Sequence, residues 1–281
     1  MTAIRATVLP TGETVPALGI GTWNMGEARQ QRADQIAALQ MAVDLGMSVV
    51  DTAEMYGNGA AEQLVAEALG DRRGEIFLVS KVLPSHATRR GTISACEASL
   101  RRLKTDRLDM YLLHWRGSVP LEETLDAFTT LERDGKIRHW GVSNFDVDDM
   151  EELQAASKAP GRVAINQVLY NLSRRGIERD LLPWCRTVGI PVMAYSPLEQ
   201  GRLAKHKALQ TIAARHRATA AQVALAWVLR QPGMMAIPKS GNVNRVRENR
   251  AALDIQLEAE DLARLDAAFP APARKIPLEM I

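Results

Sequence analysis

The chain of 281 residues has little cysteine, no basic tract and no long apolar stretch. Its two cysteines, Cys96 and Cys185, lie far apart in predicted helices, which indicates neither a disulfide framework nor a zinc site. There is no His-x-His or His-Glu-x-x-His pair, so the usual ligands for metal-assisted hydrolysis are missing. No apolar run approaches the roughly 20 residues that span a bilayer. Because the N-terminus also lacks a cationic segment leading into an apolar one, we expect a cytoplasmic, reduced protein with no membrane partner.

The charges are nearly balanced, with 35 Lys and Arg against 33 Asp and Glu. No stripe of basic residues is interleaved with aromatic ones, so we expect no nucleic-acid partner and a purely local site for any anion. A chain of this length with 46% hydrophobic residues can bury a large core. It suits a single domain over residues 1–281, since one α/β barrel takes about 250 residues.

Short apolar segments alternate with amphipathic helical segments along most of the chain. We expect strands at Leu18–Gly21, Val49–Val50, Phe77–Ser80, Met110–Leu113, His139–Val142, Ala164–Gln167, Pro191–Tyr195 and Met235–Pro238. Eight strands separated by helices are typical of a parallel sheet covered by helices, and predict a (β/α)8 TIM barrel. Two further segments, Ala6–Leu9 and Thr14–Leu18, flank a Thr-Gly pair and predict an N-terminal β-hairpin over the barrel floor.

A doubly wound dinucleotide-binding sheet is the competing interpretation. Gly57 and Gly59 resemble the start of a glycine-rich fingerprint between a strand and a helix. Glu62 occupies the place of the third glycine, and the loop from Asp51 is too long for phosphates to sit in the tight turn after the strand. We therefore interpret the two glycines as turn residues.

Four polar residues, Asp51, Tyr56, Lys81 and His114, end or follow predicted strands. Parallel barrel strands present their carboxyl ends on one face, so the four side chains are expected to converge there. A tyrosine with a pKa of about 10 is a poor acid unless its anion is stabilised, and Lys81, held by Asp51, would lower that pKa. A neutral His114 could donate a hydrogen bond to a carbonyl oxygen. Each residue alone also has a structural explanation, such as packing, solvation or capping.

Several motifs occur in the order found in the aldo-keto reductase family, which the chain resembles over nearly its whole length. They are Gly19-Ile-Gly-Thr-Trp23, Asp51-Thr-Ala-Glu-Met-Tyr-Gly57, Ser80-Lys81, Leu112-Leu-His-Trp115, Gly141-Val-Ser-Asn-Phe145, Asn166-Gln167, Tyr195-Ser-Pro-Leu198 and Ile237-Pro-Lys-Ser240, followed by Arg245, Glu248 and Asn249. The resemblance implies a monomeric barrel that uses a nicotinamide cofactor without a Rossmann fold. It also implies that Tyr56 is the general acid, with Lys81 and Asp51 as its modulators.

The cofactor prediction depends on the segment after the last strand. Lys239, Ser240 and Arg245 bring two cations and a hydroxyl to one turn beside a helix N-terminus, which suits a 2′-phosphate and predicts NADPH rather than NADH. A solvated basic loop is the alternative. The resemblance implies further contacts: Glu248 and Asn249 near the adenine, Tyr195 stacked on the nicotinamide, Ser143, Asn144 and Gln167 on the carboxamide, and Thr22, Trp23, Asp51, Ser196, Leu198 and Gln200 along the ribose and pyrophosphate.

Apolar residues that follow strand ends are expected to line the substrate pocket, namely Trp23, Met55, Leu83 and Trp115. Such a pocket suits small or medium aldehydes, and the chain is similar in particular to bacterial reductases of methylglyoxal and other 2-oxoaldehydes. Arg116 could attract a carboxylate there. The leading hypothesis is an NADPH-dependent aldehyde reductase. A nucleotide-sensing protein of the same fold and a dehydrogenase that mainly oxidises alcohols are the alternatives, and the sequence does not decide the direction of the reaction.

Overall fold

The computed structural model describes residues 4–157 and 163–281. The predicted single domain of residues 1–281 includes two short segments, 1–3 and 158–162, that lie outside the described residues. The first element is an antiparallel hairpin of β1 (Ala6–Val8) and β2 (Thr14–Pro16). The predicted N-terminal hairpin is therefore confirmed.

Eight parallel strands follow the hairpin and form one sheet. They are β3 (Ile20–Gly21), β4 (Val49–Asp51), β5 (Phe77–Val82), β6 (Leu108–Leu113), β7 (Ile137–Ser143), β8 (Asn166–Leu169), β9 (Val192–Tyr195) and β10 (Met234–Ala236). The strands pair in sequence order from β3 to β10. Parallel bridges at Leu18–Ala236 and Gly21–Lys239 join the first strand of this series to the last. The sheet thus closes on itself, and the predicted (β/α)8 barrel is confirmed.

Helices surround the barrel. They are α1 (Arg32–Asp44), α2 (Ala60–Leu69), α3 (Arg89–Leu103), α4 (Leu121–Arg133), α5 (Val147–Ala156), α6 (Leu181–Val188), α7 (Lys207–Arg215), α8 (Ala220–Leu229), α9 (Val243–Ala251) and α10 (Ala259–Ala268). Thr219 caps α8: its hydroxyl accepts from the Gln222 N–H, and the Gln222 side chain accepts from the Thr219 N–H. No helix among the described residues is long and apolar enough to cross a membrane.

The segment from Gly176 to Val188 is not one continuous helix. A short 3-10 turn at Gly176–Glu178 comes first, and α6 begins only at Leu181. Asp180 separates the two, because its carboxylate accepts a hydrogen bond from the Leu181 N–H at 2.7 Å and thereby starts the helix.

The core has two layers, one inside the barrel and one between the barrel and its helices. Leu9 and Val15 of the hairpin belong to the inner layer, together with Val49 and Phe77 from the start of β4 and β5. The hairpin therefore covers the N-terminal end of the barrel, as predicted for the barrel floor. The opposite end, where the strands finish, remains available for a site.

The turn between β4 and α2 does not match the dinucleotide-binding fingerprint. Gly57, Asn58 and Gly59 have φ angles of 55°, 50° and 88°, a left-handed path that favours glycine at the first and third positions. A Cβ atom at Gly59 would also collide with the Arg102 side chain. The interpretation of both glycines as turn residues is confirmed.

Candidate active site

The four predicted catalytic residues meet where the barrel strands end. Asp51 is the last residue of β4, Lys81 lies one residue before the end of β5, His114 directly follows β6, and Tyr56 begins the turn after β4. The Lys81 Nζ donates to Asp51 Oδ2 at 2.8 Å and to the Tyr56 hydroxyl at 3.1 Å. The His114 ring stands edge-on to Tyr56, with 5.9 Å between the ring centroids. Carboxylate, ammonium, phenol and imidazole are thus in contact as a group.

The ammonium of Lys81 is completely buried, yet all of its protons have acceptors. In addition to Asp51 and Tyr56, the Thr52 carbonyl oxygen lies 2.9 Å from Nζ. Burial is the strongest influence on the Lys81 pKa and lowers it, but Asp51 and Tyr56 outweigh burial and raise the pKa above its ordinary value. Lys81 therefore carries its positive charge at neutral pH.

The Tyr56 phenol has a pKa above its ordinary value. Burial is the largest influence and raises the pKa, the positive charge of Lys81 lowers it, and the negative charge of Asp51 raises it again. The sequence predicted the lowering by Lys81 but not the larger effect of desolvation. Consequently the net direction is opposite to that prediction, and Tyr56 holds its proton at neutral pH.

His114 is a neutral imidazole. Burial and, second, the charge of Lys81 lower its pKa from 6.5 to about 2. Its Nδ1 is buried and has no hydrogen-bond partner among the described residues. The main chain of His114 is held by Asn144, whose Nδ2 donates to the His114 carbonyl oxygen at 3.1 Å. The predicted neutral state therefore has a clear electrostatic cause.

The residues predicted to contact the nicotinamide end form one hydrogen-bonded chain. The Tyr195 hydroxyl donates to Asn144 Oδ1 at 2.9 Å, Asn144 Nδ2 lies 3.1 Å from Ser143 Oγ, and the Ser143 hydroxyl donates to the Gln167 carbonyl at 2.8 Å. Gln167 Nε2 then donates to Asp51 Oδ1 at 2.7 Å. The structure brings these four residues together beside the Lys81 site, although they come from β7, β8 and β9.

The residues predicted along the ribose and pyrophosphate lie at different depths. Thr22 is completely buried, and its hydroxyl donates to the Asp51 carbonyl at 3.0 Å, so the side chain supports the strand end. Trp23, next in the chain, is 41% exposed. Ser196, Leu198 and Gln200 share the loop that follows β9, where Ser196 and Gln200 have positive φ angles.

The predicted phosphate-binding residues surround the N-terminus of α9. Ser240 Oγ accepts from the Asn242 N–H at 3.2 Å, and Asn242 caps the helix by accepting from the Arg245 N–H at 3.1 Å. Lys239 and Arg245 are exposed and form no ion pair within the part of the chain that the structure describes. The pKa of Lys239 is lowered, chiefly by partial burial and also by Arg245, while Glu27 opposes this. On α9, Glu248 is exposed and Asn249 is buried.

The predicted pocket residues follow barrel strands at the end of the barrel that carries the catalytic group. Trp23 and Met55 are 41% and 39% exposed. Leu83 is partly exposed, and the Trp115 ring lies 5.0 Å from that of His114. Arg116 is not free to bind a ligand carboxylate, because its guanidinium binds Glu152 at 2.8 Å and the Val119 carbonyl at 2.9 Å.

Three residues beside the site, Glu199, Asn171 and Arg174, were not predicted from the sequence. Glu199 lies between two predicted cofactor residues and is 4% exposed. Its carboxylate accepts hydrogen bonds from Asn171 at 2.7 Å and from Arg174 at 3.2 Å. A glutamate in a polar loop is ordinarily solvated, so only the position of Glu199 next to Leu198 and Gln200 could have drawn attention to it.

Comparisons with known proteins identify the family that the chain resembles. The model of the aldo/keto reductase family matches residues 17–269. Methylglyoxal reductase YeaE of Escherichia coli (strain K12) is 52% identical over 275 residues, covering 95% of this chain and 96% of the relative. Glyoxal reductase of Bacillus subtilis (strain 168) is 36% identical over 267 residues, covering 95% and 94%. A crystal structure of an aldo-keto reductase from Klebsiella pneumoniae in complex with NADPH matches with a TM-score of 0.96 at 49% identity, covering 100% of both chains.

Proposed function

Because this chain belongs to the aldo/keto reductase family, we propose that it reduces methylglyoxal and other small aldehydes with NADPH, and that Tyr56 is the general acid. The observation that carries this proposal is the buried hydrogen-bonded series Asp51, Lys81 and Tyr56 beside a neutral His114. The proposed fold unit is one domain over residues 1–281 that acts as a monomer, since one chain supplies every residue of the site.

The residues around α9 fit a nicotinamide cofactor that carries a 2′-phosphate. Lys239 and Arg245 are two nearby cations with no ion pair among the residues described, and the capped N-terminus of α9 adds a further positive end. When bound, NADPH supplies the hydride. Tyr195, Asn144, Ser143 and Gln167, which form one hydrogen-bonded chain beside Asp51, are proposed to bind the nicotinamide end.

Tyr56 is proposed to give its proton to the carbonyl oxygen as negative charge develops there. The phenolate that results is stabilised by the Lys81 ammonium at 3.1 Å, and Asp51 keeps this ammonium charged and oriented. In His114, a buried Nδ1–H without an acceptor would cost more than an unpaired lone pair, so the proton belongs on Nε2. Nε2–H can then donate a hydrogen bond to the carbonyl oxygen and orient the aldehyde.

The pocket favours a small, uncharged aldehyde. Its rim is apolar, and Arg116, the cation in the loop after His114, is already paired with Glu152. Nothing along this rim among the described residues offers a free cation to a substrate carboxylate. Apolar contacts discriminate by only about 1–3 kcal/mol per methylene, so we expect several small aldehydes to be accepted.

Replacing Tyr56 by Phe tests this proposal. The variant keeps the ring but loses the transferable proton, so NADPH should still bind while methylglyoxal reduction falls by roughly 10²–10⁴-fold or more. NADPH consumption at 340 nm measures turnover, and quenching of protein fluorescence measures binding. Near-normal turnover of Tyr56→Phe would contradict the assignment.

Tyr111→Phe is the matched control. The Tyr111 hydroxyl is buried in the layer between barrel and helices and has no hydrogen-bond partner among the residues described, so its loss should leave turnover unchanged. Binding of NADPH by the unmodified protein without turnover of any aldehyde would favour a nucleotide-sensing role instead.

A further inference from the structure

We propose that Glu199 is a positioning residue for the cofactor: its buried carboxylate holds the loop of residues 196–202 in the conformation that receives the ribose and pyrophosphate. The inference rests on the proposed use of NADPH. Glu199 is 4% exposed, although it lies in a surface loop between two exposed or half-exposed neighbours. A buried carboxylate persists only where donors compensate for its desolvation.

The backbone of this loop adopts φ angles that are unfavourable for residues with a Cβ atom. Ser196, Glu199 and Gln200 have φ angles of 45°, 48° and 54°, and Gly201 follows with 86°. For a residue with a Cβ atom this left-handed region is unfavourable, and three such residues within five positions need support from their surroundings. The main chain provides hydrogen bonds from Glu199 N–H to the Ser196 carbonyl and from Gly201 N–H to the Leu198 carbonyl, and residues Glu199–Lys205 form 3-10 turns that are interrupted at Gln200 and Gly201.

The carboxylate of Glu199 supplies that support. Its Oε2 accepts from Asn171 Nδ2 at 2.7 Å, while Oε1 accepts from Arg202 Nη2 at 2.9 Å and from Arg174 Nη2 at 3.2 Å. The pKa of Glu199 is lowered, because these hydrogen bonds outweigh the opposing and largest single effect of burial. The carboxylate is therefore ionised, and it joins Arg202 of the 196–202 segment to Asn171 and Arg174 of the loop after β8.

Asn171 connects this carboxylate to the start of the loop. The same Nδ2 that donates to Glu199 also donates to the Ser196 carbonyl at 2.9 Å. Asn171 itself is completely buried, and its Oδ1 accepts from the Ser173 N–H at 2.8 Å. The loop after β8 thus acts as a fixed support to which Glu199 attaches the loop after β9.

The proposed consequence concerns binding rather than chemistry. Ser196, Leu198 and Gln200 are the proposed cofactor contacts, whereas Glu199 between them turns its side chain inward to Asn171 and Arg174. Without the carboxylate, the loop can relax towards unstrained backbone angles and misplace these contacts. Tyr56 follows β4 and Lys81 lies on β5, both outside this loop, so proton transfer should be unaffected once NADPH is bound.

Glu199→Gln keeps the shape of the side chain but removes its charge. The expected result is a Kd for NADPH about tenfold higher, the size of losing one hydrogen bond to a charged group. The kcat at saturating NADPH and the KM for methylglyoxal should stay within about twofold. In addition, trypsin should cut after the exposed Arg202 faster in the cofactor-free variant, and NADPH should slow this cleavage.

Glu279→Gln is the control. Glu279 also binds Arg174, at 2.7 Å, but lies in the C-terminal segment, so its loss leaves every bond to the 196–202 loop in place and the NADPH Kd should not change. If Glu199→Gln does not fold, as judged by circular dichroism, Glu199→Asp takes its place, because it keeps the charge but is too short to reach all three donors.

The outcomes separate this inference from the proposed function. A folded Glu199 variant with an unchanged NADPH Kd overturns the inference, and so does a fall in kcat at saturating NADPH without a change in Kd. If the unmodified protein itself fails to bind NADPH, the proposed function is overturned first.

Discussion

At the scale of single residues, burial competes with the charge of Lys81 for control of the Tyr56 proton. Burial and Asp51 raise the pKa of Tyr56, and the ammonium at 3.1 Å lowers it without bringing it below the ordinary value. For an acid that works in the direction of reduction, this balance is useful, because the phenol stays protonated at neutral pH. Lys81 acts at the later stage, when the phenolate has formed.

These pKa directions predict the pH dependence of reduction. At saturating NADPH, kcat/KM for methylglyoxal should be flat between about pH 6 and pH 9 and should decline only above about pH 10, as Tyr56 loses its proton. No decline on the acid side should come from His114, whose pKa of about 2 keeps it neutral throughout. Initial rates over this range provide the measurement. A midpoint near pH 8 on the alkaline side would show that the Tyr56 pKa is lowered, contrary to the structure.

Lys239 is expected to decide between the two nicotinamide cofactors. Lys239→Ala removes a cation that has no ion pair within the described ranges, so the Kd for NADPH should rise roughly 10-fold or more while that for NADH changes little. Fluorescence titration with each cofactor measures the two constants. Lys207→Ala, an exposed lysine at the start of α7, serves as the control and should affect neither. Equal losses for both cofactors would mean that Lys239 does not contact the 2′-phosphate.

At the scale of elements, apolar periodicity predicted most of the barrel. The helices α2 and α4 each bury a regular apolar face, which is the pattern that indicates an amphipathic helix. All eight barrel strands were expected at the observed places within a few residues. Residues that end strands could likewise be assigned to one face, and for this reason the sequence alone was enough to predict that Asp51, Lys81 and His114 lie together.

Elements without an apolar face could not be predicted in this way. The helix α9 buries only Val246, Asn249 and Arg250 and shows no clear amphipathic pattern, and α10 buries only Asp261 and Leu265. Both are fixed by contacts distant in sequence, such as Arg250 Nε to the Leu45 carbonyl at 3.2 Å. The role of Glu199 could not be predicted either, because its three hydrogen-bond donors come from two different loops.

The cap of α8 gives an element-scale prediction. Thr219→Ala removes the hydroxyl that accepts from the Gln222 N–H and breaks the reciprocal capping box. Unfolding in urea should show a loss of about 1 kcal/mol with unchanged kcat. Thr211→Ala, an exposed threonine within α7 that bonds only to the Lys207 carbonyl, should cost nothing, because alanine is the better helix former. Equal stability of Thr219→Ala and the unmodified protein would show that the cap does not limit unfolding.

At the scale of the whole molecule, ion pairs connect elements that are remote along the chain. Glu13 in the hairpin turn binds Arg138 at 2.8 Å and His139 at 2.6 Å, both from the start of β7. Asp261 at the start of α10 binds Arg215 at 2.8 Å and His216 at 2.7 Å, at the end of α7. Burial raises the pKa of each carboxyl as the largest single effect, but the combined hydrogen bonds and charges lower both. A carboxyl whose pKa is lower in the folded state stabilises the fold above its unfolded pKa and loses this contribution as the pH falls.

Acid should therefore loosen the hairpin from the barrel floor. Glu13→Gln should reduce the free energy of unfolding at pH 7 by roughly 0.5–1.5 kcal/mol, and this deficit should shrink as the pH falls below about 4.5, because Glu13 takes up a proton first in the unfolded chain and, at lower pH, in the folded protein. Urea unfolding at pH 7, 5 and 3.5 measures the difference, with Glu151→Gln on the exposed side of α5 as a control that should show no deficit. A deficit that stays constant down to pH 3.5 would mean that the Glu13 side chain stabilises the fold by its packing and not by its charge. In that case, the attachment of the hairpin would depend on the apolar contacts of Leu9 and Val15 inside the barrel and not on charge.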